Sequence, residues 1–420
     1  MGKLRVAVLF GGSSAEYEVS LKSAYSIITN MDREKYELIL IGITRDGRWL
    51  RYLGDAEKIR QDLWEADDLC HPVFISSNRG FKGILELREG SAALLPVDAV
   101  FPVLHGAFGE DGTLQGLLDM AGIPYVGCGV LASAAGMDKA MAHSLAAAAG
   151  VDTPRSAVFY KGDSLAEISQ GVWKFQYPLY VKPARGGSSL GITKAEDPAM
   201  LFEAVRTAFG WDSKIVIEEN VEGFEVGCAI LEDQGLFLGE VDELQLHGAV
   251  FDYKEKYSMT KTIHHIPARI CEEVMQRIKK DAIVIYRSLG CRGLARVDFF
   301  LTPEGSVVFN EINTMPGFTT GSRYPKMLMA AGLSFPEILD RLISGALGPE
   351  SRAEKRPEAQ REIGWLRETG EESSRPSEEN PPKENPPKGN PPKGNPSAMR
   401  CQGAGSPPET RRENRPATAF

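Results

Sequence analysis

The chain has 420 residues, of which 42% are apolar and 25% charged, with a formal net charge of −9. That length is enough for two or three domains with proper cores. The acidic balance argues against nucleic acid as the main partner, since phosphate neutralisation needs a basic surface, and no run reaches the roughly 18 uninterrupted apolar residues of a membrane span. Cys70, Cys128, Cys228, Cys271, Cys291 and Cys401 show no C-x-x-C spacing. Reduced thiols in a cytoplasmic protein are therefore expected, with no zinc site and no disulfide framework.

The apolar run at residues 4–10 reads as a first strand, which leaves no room for a signal peptide. Gly11-Gly12-Ser13-Ser14, a helix over about 18–30 and a strand over 36–43 follow, so the start is βαβ and a parallel sheet is predicted. The glycine spacing does not match G-x-G-x-x-G, which removes the dinucleotide reading. What remains is a turn at the carboxyl end of a strand, where open α/β sheets place ligands. Glu16 stands there, either holding a substrate ammonium group or simply filling the first turn of a helix. Further on, a strand over 97–103 leads to His105, which faces a ligand or is structural. A helix begins near Thr113, and another opens at Asp138-Lys139. A lysine at a helix N-terminus is unfavourable unless an anion sits there, so Lys139 points to phosphate.

Near Val151 a second domain begins. The strand over 177–182 ends in Lys182 and runs into Gly186-Gly187-Ser188-Ser189. Such a loop lets backbone N–H groups approach phosphate, or is a mobile hairpin turn. It is not a Walker A motif, because the lysine precedes the loop and no helix follows. Residues 214–219 and 226–232 read as strands joined by a hinge against which an adenine could stack. Residues 245–262 are long, polar and aperiodic, as an active-site lid would be. A helix over 272–288 then leads to a hairpin, 293–301 and 306–311, across a Thr-Pro-Glu-Gly turn. Asp298 and Glu311 are expected to meet across it, with Glu311 and Asn313 on one face. These hard oxygen donors suit Mg²⁺. A last amphipathic helix is predicted over 335–344. From Ser351 the chain holds 12 of its 26 prolines and a repeated Asn-Pro-Pro-Lys. This tail, 351–420, is predicted to be disordered.

In order, the motifs GGxSxE (11–16), HGxxGEDGTLQG (105–116), MDK (137–139), KPxxxGSS (182–189), EKY (255–257), RVD (296–298) and NEINTxPG (310–317) resemble those of the D-alanine–D-alanine ligase family. The resemblance spans about 3–347 and implies an α/β ATP-grasp fold. Three α/β domains are expected, at 1–127, 128–217 and 218–348, with ATP between the central and C-terminal sheets. It also implies roles. Asp298, Glu311 and Asn313 would hold two Mg²⁺ ions, or Mn²⁺. Lys139, Lys182 and Lys256 would meet phosphates, Glu218 and Val221 the adenine, and Glu225 the ribose. Glu16 would bind the first D-amino acid, oriented through Ser188 and Tyr257. Arg296, with the Gly317 turn, would stabilise developing charge, and Ser322 would hold the second substrate's carboxylate. A homodimer is expected, with D-alanine, D-serine and ATP as the small-molecule partners.

At 322–324 the chain reads Ser-Arg-Tyr, where ordinary members of the family place an apolar residue after the serine. An arginine lining a methyl-sized pocket would lose hydration with no partner, unless the substrate supplies one. A D-serine hydroxyl would do so. The retained Glu-Lys-Tyr distinguishes the chain from D-lactate-using ligases, and its wording is similar to the D-alanine–D-serine ligases of vancomycin resistance. D-Ala–D-Ser synthesis is expected, with ordinary D-Ala–D-Ala synthesis as the alternative.

Overall fold

The computed structural model describes residues 2–66, 68–246 and 262–348. Lys256, Tyr257, most of the expected lid and the proline-rich tail lie outside the described residues. The first sheet has seven strands: β1 (Leu4–Gly11), β2 (Tyr36–Ile43), β3 (Trp49–Tyr52), β4 (Cys70–Ile75), β5 (Gly83–Arg88), β6 (Ser91–Pro96) and β7 (Ala99–Pro102), in the order β6-β5-β4-β3-β2-β1-β7. β1 lies between β2 and β7 and is parallel to both. A strand covered on both faces can be apolar throughout. Accordingly Val6, Val8 and Phe10 join one core while Ala7 and Leu9 join another. Helix α1 (Tyr17–Asn30) covers the first of these faces with Tyr17, Leu21, Ala24, Ile27 and Ile28. The expected parallel start is therefore present, but β3 to β6 extend it as an antiparallel sheet. α2 (Ala56–Arg60) lies within that extension.

α3 (Thr113–Ala121), α4 (Val130–Met137) and α5 (Lys139–Ala148) follow. Asp138 caps α5, its carboxylate accepting from the Met141 N–H at 3.1 Å. The second sheet is antiparallel, with the order β10-β9-β11-β8 over β8 (Ser156–Tyr160), β9 (Leu179–Pro183), β10 (Thr193–Ala195) and β11 (Lys214–Glu219). α6 (Leu165–Gly171) and α7 (Pro198–Phe209) supply Ile168, Leu201, Ala204, Val205 and Ala208 to its core. The domain boundary expected after residue 217 falls inside β11, whose last residues still pair with β9.

The third sheet contains β12 (Phe224–Glu232), β13 (Leu236–Leu238), β14 (Asp242–Leu246), β15 (Thr262–His265), β16 (Leu294–Leu301) and β17 (Val307–Asn313), in the order β15-β14-β12-β16-β17 with β13 also on β12. α8 (Glu272–Ser288) packs on it through Ile278, Ala282, Ile285 and Tyr286. α5 joins the same core through Ala142 and Ala146, while its Ala140 packs on Ala184 and Val216 at the second sheet. α9 (Arg323–Ala330) and α10 (Phe335–Leu347) close the described chain, α10 behind a Ser334–Glu337 capping box. Among the described residues no helix is long and apolar enough to cross a membrane.

Candidate active site

The expected hairpin is β16 and β17, and Asp298 does face Glu311 across it. The faces need one further device. Val307 and Phe309 are buried in the core, and strict alternation would send Glu311 and Asn313 in after them. The pairing instead shifts between Asp298 and Phe299, where Phe299 meets Phe309 and Asn310 is the extra residue. This bulge reverses the parity, so that Ile312 enters the core and Glu311 and Asn313 turn to the opposite face. On that face the Asp298 carboxylate accepts from Arg296 Nε at 2.9 and 3.0 Å, Arg296 Nη2 at 2.7 Å and Asn313 Nδ2 at 3.0 Å. Glu311 lies 3.8 Å from Lys139 Nζ. Among the described residues no group of three or more His, Cys, Asp or Glu side chains is placed to hold a metal. Two acids and an amide are nonetheless a hard-oxygen set, which fits Mg²⁺ or Mn²⁺ if phosphate completes the shell.

Lys139 opens α5 and is buried, its ammonium donating to the Gly186 carbonyl at 2.7 Å. Lys182 ends β9 and donates to Glu218 at 2.7 Å. Burial would raise the Glu218 carboxyl, but the Lys182 ammonium outweighs it and holds the group below its ordinary range. His143 lies one turn beyond Lys139 and donates from Nε2 to the Asn310 carbonyl at 2.8 Å, which leaves Nδ1 as an acceptor. That nitrogen faces Glu218 Oε1 at 3.7 Å, and neither atom has a hydrogen-bond partner. Two buried acceptors without a donor between them suit a ligand N–H. Val221 lies half-buried in the β11–β12 connection. Glu225, on β12, pairs with Arg323.

Glu16 precedes α1 without capping it, and its carboxylate accepts from the Ser188 hydroxyl. The approach depends on missing side chains. A Cβ on Gly187 would lie 2.6 Å from Glu16 Oε2, and one on Gly106 would lie 2.4 Å from it. Ser188 and Ser189 both hold positive φ, at 53° and 59°, a conformation costly for non-glycine residues and found most often where a loop serves a site.

His105 uses both ring nitrogens within the protein: Nδ1 bonds the Met315 carbonyl at 2.8 Å and Nε2 meets Ser23 Oγ at 3.3 Å. Burial is the largest influence on it and lowers its pKa, so the ring is neutral at physiological pH. Glu110 holds the same residue from its other side, accepting from the Met315 N–H at 2.8 Å and from the Gly106 N–H at 2.9 Å. Burial first, then the nearby Glu16 charge, push its carboxyl up to about 8. Sequence reasoning did not single out Glu110. Its clue was a glutamate inside a glycine-rich loop. Beyond Met315, Gly317 and Ser322 close a turn in which Ser322 Oγ accepts from the Thr319 N–H at 3.0 Å. Ser322 is the N-cap of α9, whose positive end suits a carboxylate.

Arg323 corrects an expectation. It is not short of partners. It is buried, donating from Nε and Nη2 to Asp242 at 2.8 and 2.9 Å, from Nη1 to Glu225, and lying 3.3 Å from Asp298. The sequence argument failed because Asp242 and Glu225 come from strands whose neighbour, α9, is 81 to 98 residues away in the chain.

Glu16, His105, Glu110, Lys139, Gly187, Ser188, His264, Arg296, Glu311, Asn313, Gly317, Ser322 and Arg323 line one cavity of about 800 Å³. Two family models match the chain, "D-ala D-ala ligase N-terminus" over residues 5–128 and "D-ala D-ala ligase C-terminus" over 145–344. The chain belongs to the D-alanine–D-alanine ligase family. As a member it is an ATP-dependent ligase with the ATP-grasp fold. Its relatives in the family include the D-alanine–D-alanine ligase of Caldicellulosiruptor bescii, 45% identical over 83% of this chain and 96% of that protein. The vancomycin/teicoplanin A-type resistance protein VanA of Enterococcus faecium is 43% identical over 83% of this chain and 99% of that protein. Among solved structures, the VanG D-Ala:D-Ser ligase from Enterococcus faecalis is 47% identical, with a TM-score of 0.76 over 82% of this chain and all of that one.

Proposed function

We propose that the chain joins D-alanine to a second small D-amino acid, preferring D-serine, as a step in making peptidoglycan precursors. A carboxylate is a poor electrophile. The first D-alanine, its ammonium held by Glu16, therefore attacks the γ-phosphorus of ATP through its carboxylate oxygen, and ADP leaves. The second substrate's amine then attacks the acyl carbon, and phosphate leaves. Catalysis here is mainly positioning and charge stabilisation. Lys139 and Lys182 face the nucleotide's phosphates, and the Glu218–His143 gap receives the adenine amino group. Val221 supports the base and Glu225 the ribose. Arg296 offsets charge on the transferring group, and Ser322 with the α9 N-terminus takes the second carboxylate. Asp298, Glu311 and Asn313 would hold Mg²⁺ or Mn²⁺, which supplies positive charge to the polyphosphate. Lys256 and Tyr257 complete the assignment from outside the described residues.

One observation carries the preference for D-serine: the pocket floor beside Ser322 is a buried ion cluster, Arg323 on Asp242 and Glu225, and not an apolar wall. A methyl group gains nothing against such a floor, whereas a hydroxyl can hydrogen-bond to it. The 47% identity with VanG supports the same reading. The 45% identity with a D-alanine–D-alanine ligase supports the alternative, ordinary D-Ala–D-Ala synthesis. A competition assay with equal D-alanine and D-serine, read by mass spectrometry, separates them. D-Ala–D-Ser should dominate, and Arg323→Leu should shift products towards D-Ala–D-Ala. Dominant D-Ala–D-Ala that does not change in Arg323→Leu would sink the D-serine reading.

A further inference from the structure

The charged cluster at the pocket floor continues one residue beyond Arg323. Asp242 Oδ2, which accepts from Arg323 Nε, also lies 2.5 Å from His264 Nε2. Strands β14 and β15 place them so: His264 on β15 pairs with Leu244 on β14, and Asp242 is two residues along the same face. Burial would raise the Asp242 carboxyl, but the Arg323 charge and its hydrogen bonds outweigh it and hold the acid ionised. An ionised carboxylate only accepts, so Nε2 is the nitrogen that carries the proton. In the neutral ring Nδ1 is therefore a bare acceptor. The side chain is 8% exposed, and Nδ1 is buried with no hydrogen-bond partner. His264 lines the same cavity as Ser322 and Arg323.

We propose that His264 is a specificity-determining residue for the second substrate, its Nδ1 accepting a hydrogen bond from the side-chain hydroxyl of D-serine. Arg323 donates to Asp242 and Glu225 and lies 3.3 Å from Asp298, whereas His264 Nδ1 is buried with no partner, so the unpaired acceptor in this corner sits on the histidine. A D-alanine methyl leaves that acceptor buried and unpaired, whereas a hydroxyl pairs it. Sites built to bond a substrate hydroxyl discriminate most strongly against the analogue lacking it. The inference rests on D-serine being the preferred second substrate.

The test measures kcat/KM for D-serine and for D-alanine as second substrate in the wild type, His264→Phe and His264→Asn. Phenylalanine removes the acceptor while Arg323 still neutralises Asp242, and asparagine restores an oxygen at the position of Nδ1. Thermal melting and the KM for ATP check that each variant is folded. For His264→Phe the expected result is a loss of about tenfold or more with D-serine and little change with D-alanine. His264→Asn should recover much of the loss. Equal losses with both substrates would mean that Nδ1 serves the common amine or only holds the fold, and would overturn the proposal. So would an unchanged ratio in His264→Phe. A wild type that does not use D-serine at all would instead defeat the underlying reading, and it would do so before any variant is made.

Discussion

At Gly187 a hydrogen stands where any other residue would place a carbon 2.6 Å from Glu16 Oε2. No positive φ is involved there, so the constraint is one of space alone. Gly187→Ala should push Glu16 off the Ser188 hydroxyl and cut kcat/KM by about a hundredfold, the scale set by displacing a reacting group by 1 Å. Steady-state kinetics checks the loss, and a melting temperature within a few degrees of wild type would locate it in the site rather than the fold. The motif residues at this scale could be singled out in the sequence: Glu16 and Ser188 stand at turns, Lys139 at a helix start, and Lys182 and Asp298 on strands beside apolar residues. Glu110 and His264 were not, and Arg323 was read as a pocket residue without its acids. Their partners lie far along the chain, and a one-dimensional reading could not show that three acids already surround Arg323.

Between elements, the loop after β7 and the turn after β17 are fastened through one residue, Met315, by both its N–H and its carbonyl. Glu110 at about 8 keeps a proton in the native state that it gives up near its ordinary value of 4.5 on unfolding. Stability from this group is thus fully present below about pH 4.5 and is lost as pH rises through about 8. Denaturant melts across that window should show wild type losing stability at up to about 1.4 kcal/mol per pH unit relative to Glu110→Gln, which cannot titrate. Identical pH slopes would contradict the assignment. Element types were largely readable from apolar runs, as with β1, β2, β11 and α8. The strands over 49–96 were not, because they are short, partly exposed and broken by polar residues. The bulge at Asn310 could have been inferred. Val307, Phe309, Glu311 and Asn313 share one parity and cannot all face the core.

Over the whole molecule, the family models end at residue 344 and the relatives match about 83% of the chain. Ending the chain after Gly348 should therefore leave kcat/KM for both substrates within about twofold of wild type, measured by phosphate release. A large loss would assign the tail a part in the reaction. The order of seven motifs made the family legible, while the choice of second substrate depended on contacts between distant strands.

The double anchoring of Met315 has a thermodynamic consequence as well. Its N–H belongs to a network that includes Gly106 beside Glu16, and its carbonyl belongs to one that runs through His105 and Ser23 to Phe318, next to the Ser322 turn. Under the proposed assignments, the two amino-acid sites therefore share a single wall. Whatever strain or relief one occupant transmits through that wall, the other must return in equal measure, because coupling between binding sites is reciprocal. The factor by which the first occupant changes affinity for the second should therefore equal the factor by which the second changes affinity for the first, and loosening Glu110 should alter both factors together.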